Sequence, residues 1–214
     1  MKGEWQLTPG KYLTPDELSA LLRRTDDMIA VAQAKGSVRM YRDAMIAITA
    51  TYLGLRRKEL AGLVVADVEV GGRGGENYVR VTNGKGGKQR VVNMGKDFKG
   101  KLVAYLKFRA ERETLAADSP VFASQKSGRM SNSAVWRRWK KLVPDKPLHA
   151  ARHTAGTMMF TATGNLRLVQ KVLGHAKITT TQIYADCLPS TMAAGVDQTE
   201  KLLRGIKRQP QALA

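Results

Sequence analysis

With 214 residues the chain is long enough for one sizeable core or two small domains, and 36 Lys plus Arg against 18 Asp plus Glu give a formal net charge of +18. Such an excess calls for a polyanionic partner, nucleic acid first, because neutralising phosphates releases condensed counterions; the alternative is a basic but merely solvated surface. The single cysteine, Cys187, excludes an intrachain disulfide and a zinc site built on several cysteines, and no apolar run approaches the roughly 20 residues a membrane-spanning helix needs, so a cytoplasmic, nucleoid-associated protein is expected.

Residues 1–12 carry no periodic pattern and read as a short arm. Thr14-Pro15-Asp16-Glu17 then spells a helix start, with a capping box and proline at the first helical position. Leu18, Leu21, Leu22, Ile29 and Ala32 follow at helical spacing until Gly36. A second helix, from about Val38 to Leu53, is apolar almost all round in its later half, which marks it as central to the core. Its end delivers Arg56 into a loop.

From Val65 to Met94 the period becomes that of strands: VADVEV, NYVRVT and QRVVNM, separated by GGRGG and NGKGG, predict a small three-stranded antiparallel sheet. Lys85 and Lys88 share its second turn, where a loop can carry an ammonium group into a groove. Phe98 to Arg112 predicts an amphipathic helix with Leu102, Tyr105 and Leu106 inward. After the short apolar piece PVFAS, Ser131 or Ser133 opens another helix. Trp136 and Trp139 are read there as core, with Arg137, Arg138, Lys140 and Lys141 free to meet a DNA backbone. The fold class is therefore α+β, mainly helical, and one compact domain accounts for the chain.

The stretch from Leu148 to Tyr184 concentrates the chemistry. His149 and Arg152 stand three apart at a helix opening behind Pro147, so both project from one face. His175 follows a Leu-Gly helix end. Tyr184 comes nine residues later, after a polar, threonine-rich turn, and is a candidate nucleophile.

HAAR followed by LGHAKITTTQIY resembles the C-terminal signature of the tyrosine site-specific recombinases, the phage integrase family; YLGLRRKEL around Arg56 and NGKGGKQR around Lys85 resemble its upstream landmarks. The resemblance covers about Leu13 to Leu188. It implies the DNA breaking-rejoining catalytic-domain fold over residues 13–188, with a tail at 189–214 of the kind that family members pass to a neighbouring protomer. It also implies a reaction: Tyr184 attacks a DNA phosphodiester, the 5′ hydroxyl leaves, and the 3′ phosphate stays on the tyrosine, with no metal, cofactor or ATP.

By the same resemblance, Arg56 and Arg152 stabilise the phosphorane with planar forks, His149 takes the tyrosine proton or bonds a phosphate oxygen, and His175 donates to a nonbridging oxygen. Lys85 serves as general acid, with Lys88 an alternative in the same turn, and Glu59 orients Arg56. His153 is read as structural. Arg57, Lys58, Lys88 and Arg90, with the four cations around the tryptophans, are candidate DNA-backbone contacts. Double-stranded DNA, a homo-oligomer (dimer or tetramer) and an accessory DNA-bending protein are the expected partners.

The chain departs from the family in two ways. Ala151 stands where a larger apolar residue is usual, and only a short arm precedes the catalytic part, where most members carry a helical DNA clamp. It is then either a catalytic fragment or a minimal single-domain recombinase, and Met1 favours the latter. The competing functions are a DNA-binding regulator that never cuts and a type IB topoisomerase.

Overall fold

In the computed structural model, which describes residues 7–82, 89–124 and 128–186, the cap signals act where they are written. Helix α1 (Pro15–Ala34) starts at Thr14, whose hydroxyl accepts from the Glu17 amide at 3.3 Å while Glu17 Oε2 accepts from the Thr14 amide at 2.8 Å. Helix α2 (Val38–Leu53) opens on the Ser37 hydroxyl and closes on Gly54 at φ 60°, a left-handed conformation that glycine adopts without strain. Ile46, Ala47 and Ala50 on α2 are wholly buried. This helix is the hub that the apolar run foretold, packing against α1, α4, α5 and α6.

After the short α3 (Arg57–Gly62) come β1 (Val68–Val70), β2 (Asn77–Val81) and β3 (Arg90–Asn93), an antiparallel sheet in the order β1-β2-β3. Val79 pairs with Val68 on one side and Val92 on the other. Val79, Val81 and Val92 form its buried face. Helix α4 (Lys96–Ala110) buries Phe98, Leu102, Tyr105 and Phe108. The two-residue strands β4 (Ala123–Ser124) and β5 (Gly128–Arg129) form a hairpin before α5 (Asn132–Leu142), which Ser131 caps. Then follow α6 (His149–Thr163), α7 (Leu166–Leu173) and α8 (Thr179–Asp186).

The architecture is mainly helical with a small three-stranded antiparallel sheet, as the pattern predicts, and a further two-residue strand pair, β4–β5, that it does not. Three details differ from the expectation. Of the two tryptophans only Trp139 is core, wholly buried with its indole N–H donating to the Lys146 carbonyl at 2.9 Å; Trp136 is 41% exposed. The threonines read as a turn before Tyr184 open helix α8, which carries the tyrosine. The described part of the arm docks on the body: Leu7 is buried in a second apolar cluster with Phe160, Val169, Leu173 and Tyr184. The expected tail, from residue 189 onward, lies outside the described residues.

Because α2 holds the larger core together, truncating its buried middle leaves a cavity that many helices border. Ile46→Ala is expected to lower the unfolding free energy by about 2 to 5 kcal/mol in urea titration; a loss below about 1 kcal/mol would show that the hub is not load-sharing at this position.

Candidate active site

The site grows out of two glycine-ended helices that meet. At Gly54, ending α2, an added Cβ would lie 2.7 Å from Leu173 Cδ2 and 3.1 Å from Ala155 Cβ, so α6 and the end of α7 press directly on this turn. At Gly174, ending α7 with φ 67°, the chain doubles back and leaves its last carbonyls without helical partners. Three arginines from three different elements take them. Arg90, opening β3, donates Nε to Val172 O at 2.9 Å; Arg152, on α6, donates Nη2 to Leu173 O at 2.5 Å; Arg56, capping α3, donates Nη2 to Gly174 O at 3.0 Å. The negative end of a helix dipole favours such cations.

Glu59 completes the cluster. Its Oε1 accepts from Arg56 Nη1 at 2.9 Å and from Arg90 Nη1 at 2.8 Å, its Oε2 from Arg90 Nη2 at 2.9 Å and from the Arg56 amide at 2.8 Å. Burial alone would raise its pKa, but the Arg90 fork and the Arg56 contacts hold it at about 2. Arg152 is 1% exposed and also donates Nη1 to Gly54 O at 2.7 Å. Burial first, then the Arg56 charge, pulls its pKa down to about 10, so it remains a cation at neutral pH. Arg56 keeps more exposure than Arg152, with 28% of its side chain open to solvent.

The tyrosine is packed into this cluster from the other side. Tyr184 is wholly buried, its ring lies against Gly156, and an added Cβ there would come 2.5 Å from Tyr184 Cζ. Only a glycine on α6 admits the ring. Its hydroxyl is 3.3 Å from His153 Nδ1, and His175 stacks on the ring at 12° and 6.3 Å between centroids. His149 stands at the solvent edge, edge-on to His153 at 4.5 Å. Desolvation is the largest cause lowering all three imidazoles: His153 to about 3, helped by His149 and Arg152; His175 to about 4, helped by Arg152 and Arg56; and His149 by an amount helped by the same two arginines. At neutral pH they are uncharged, and each can donate one hydrogen bond from one ring nitrogen and accept one at the other. Among the described residues no three His, Cys, Asp or Glu side chains converge as metal ligands.

Arg56, Glu59, His149, Arg152, His175 and Tyr184 are therefore brought together around the end of α7. Lys85 and Lys88 lie outside the described residues. Two readings need correction. Arg90 is not a free backbone contact: its guanidinium is committed to Glu59 and Val172 and its side chain is 11% exposed. His153, taken as structural, is the imidazole that meets the tyrosine hydroxyl; it sits one turn beyond His149 on the same helix, a spacing visible in HAARH. Among the remaining backbone candidates, Arg57, Lys58, Arg137 and Lys141 are exposed. Arg138 is drawn to within 3.5 Å of Asp43, and the Lys140 ammonium bonds the Pro144 carbonyl.

A mainly helical domain with this sheet, and with paired arginines and imidazoles around one tyrosine, has the fold of tyrosine recombinase catalytic domains. The chain belongs to the phage integrase family, whose model matches residues 11–190. It is 32% identical over 187 residues to tyrosine recombinase XerD of Chlamydia trachomatis serovar D, covering 84% of this chain and 58% of that protein. It superposes on the crystal structure of XerA recombinase with a TM-score of 0.68 at 28% identity, covering 92% of this chain and 66% of the other. A XerH site-specific recombinase bound to its difH substrate in a pre-cleavage complex shares the fold, with a TM-score of 0.64 at 24% identity over 84% of this chain and 51% of that one. The chain thus spans somewhat more than half the length of the XerD protein it matches. Among the described residues no helix is long and apolar enough to cross a membrane.

A buried neutral imidazole couples folding to pH with a definite sign. For His153 and His175 the folded pKa lies below the ordinary 6.5, so between 6.5 and about 4 the unfolded chain holds protons that the folded one does not. Stability should be full above pH 6.5 and fall as pH drops toward 4. His153→Gln is expected to make that fall shallower, read from urea midpoints across the range; an unchanged slope would contradict the buried neutral state of His153.

Proposed function

We propose that this chain is the catalytic unit of a site-specific DNA recombinase, cutting and rejoining strands through a phosphotyrosine. The observation that carries the reading is the burial of Arg152 and the partial exposure of Arg56 at one helix end, beside a tyrosine whose hydroxyl meets a neutral imidazole. In the reaction the Tyr184 Oη–P bond forms and the P–O5′ bond breaks. The phenol proton passes to an imidazole. His153 meets the hydroxyl in the resting geometry; once α8 has shifted to present the tyrosine to a duplex, His149, at the rim, is the imidazole left to take the proton or to bond a phosphate oxygen. His175 donates to another oxygen, and Lys85, or Lys88 beside it, returns a proton to the leaving 5′ oxygen.

Charge growing on the equatorial oxygens is met by Arg56 and Arg152, whose planar forks offer two donors each to such an oxyanion. Their backbone carbonyl partners hold the forks in place beforehand, so little reorganisation remains for the moment of attack. Because Tyr184 is wholly buried, α8 must shift before its hydroxyl can reach a duplex. Exchange between two duplexes cuts four strands, each consuming one tyrosine, so the working assembly is a homotetramer on DNA. The exposed cations of α3 and α5 supply the sequence-independent part of the affinity.

The test is covalent capture from a pool of duplexes nicked within a randomised segment, so that the released end diffuses away and the adduct accumulates. The natural chain is expected to give a denaturation-resistant protein–DNA band. Tyr184→Phe, which removes one oxygen, should bind DNA as tightly and give no band. Arg152→Lys should slow adduct formation about a hundredfold to a thousandfold, or about 3 to 4 kcal/mol, the scale for losing a preorganised donor to a developing charge. Binding without any band from the natural chain would favour a regulator that never cuts; relaxation of supercoils without site preference would favour a topoisomerase.

A further inference from the structure

We infer that Arg90 is a positioning residue for strand cleavage: it fixes the carboxylate that aims Arg56 and ties the start of β3 to the end of α7. The inference rests on the recombinase reading above and goes beyond it, because Arg90 itself need touch no DNA.

The geometry is specific. Both Glu59 oxygens are engaged by the Arg90 fork at 2.8 and 2.9 Å, and Glu59 Oε1 is shared with Arg56 Nη1 at 2.9 Å. Arg56 thus leans on an oxygen whose place is set by Arg90. Remove Arg90, and a carboxylate only 5% exposed keeps Arg56 as its one remaining guanidinium in this cluster. Attraction would then draw Arg56 across both oxygens and away from Gly174 O. Its outward edge, the part left for a phosphate, would rotate with it. Lysine at position 90 could not replace the fork, since an ammonium offers a point charge and cannot span two oxygens and the Val172 carbonyl in one plane.

A second consequence follows from chain order. Arg90 is the first residue of β3, in register with Val81, the last of β2. Tying Arg90 to Glu59 and to Val172 O therefore fixes the first residue of β3 against α3 and the end of α7. Gly174 makes room for this: an added Cβ would stand 2.9 Å from Arg90 Cδ, so the glycine that ends α7 also lets the arginine pass. One side chain consequently links the carboxylate that holds Arg56, the start of β3 and the chain leading to His175.

The discriminating experiment compares Arg90→Lys, Arg90→Ala and Glu59→Gln with the natural chain, on a nicked duplex recovered by the covalent capture described above. Affinity, salt dependence, melting temperature and the adduct rate at saturating protein are measured for each. A positioning role predicts unchanged affinity and salt slope, with the rate of the bound complex reduced about tenfold to a hundredfold, the scale of a small misplacement of a reacting group. In the Arg90→Ala background, Arg56→Ala should then cost much less than it does alone, because the two arginines act as a unit. Arg90→Lys keeps a cation in the site and covers the case in which alanine unfolds the chain.

Weaker binding and a salt slope smaller by about one, with an unchanged rate in the bound complex, would make Arg90 a phosphate contact and overturn the inference. So would a lowered melting temperature with a normal rate for the folded protein, or strict additivity with Arg56→Ala. If the natural chain forms no adduct with any duplex, the recombinase reading fails first and takes this one with it.

Discussion

The structure depends on one electrostatic join: the carbonyl end of helix α7 is met by guanidinium groups from β3, α6 and the cap of α3. A helix C-terminus leaves carbonyls unpaired and carries partial negative charge, so it must be satisfied by donors, and cations serve best. Arginines gathered this closely would repel one another. The carbonyls and the Glu59 carboxylate, held ionised by the same arginines, offset that repulsion and let Arg152 stay charged although burial pulls its pKa down to about 10. The site is in this sense a cation cluster assembled on a helix end before any phosphate arrives.

The tyrosine side of the site follows a different physical logic, that of packing. Gly156 leaves a flat place on α6, Tyr184 fills it, and Leu7, Phe160, Val169 and Leu173 close over the ring. Sheltered from solvent, the histidines around it are neutral, so they hydrogen-bond without adding charge to the arginine cluster. The nucleophile proposed above is thereby shut off from solvent in the resting structure. The cluster is small and separate from the main core built around α2, so releasing α8 disturbs little of that core.

Much of this was legible in the sequence because it is carried by local rules. The Thr14 to Glu17 box, the apolar second helix, the glycine-separated strands and the glycines after Leu53 and Leu173 each specify an element without knowledge of the rest. The HAARH and LGH segments placed their side chains correctly relative to one another for the same reason. What escaped reading depends on contacts across the fold. Arg90 beside a glycine-rich turn is indistinguishable from a solvated cation until Glu59, far away in the chain, is seen to take both its nitrogens. Trp136 and Trp139 looked alike, yet only Trp139 shares the stripe of Val135 and Leu142, and Trp136 falls one position off it. His153 could have been weighed against His149 from spacing alone; which one meets the tyrosine depends on the docking of α8, which no local pattern encodes.

The most direct measurement of the central claim is to identify the atom that carries the DNA. After trapping on a nicked duplex, proteolysis and nuclease trimming should leave a nucleotide mass on one peptide, and fragmentation should place it on Tyr184. A nucleotide on any other residue, or trapped protein whose Tyr184 peptide is unmodified, would contradict the account.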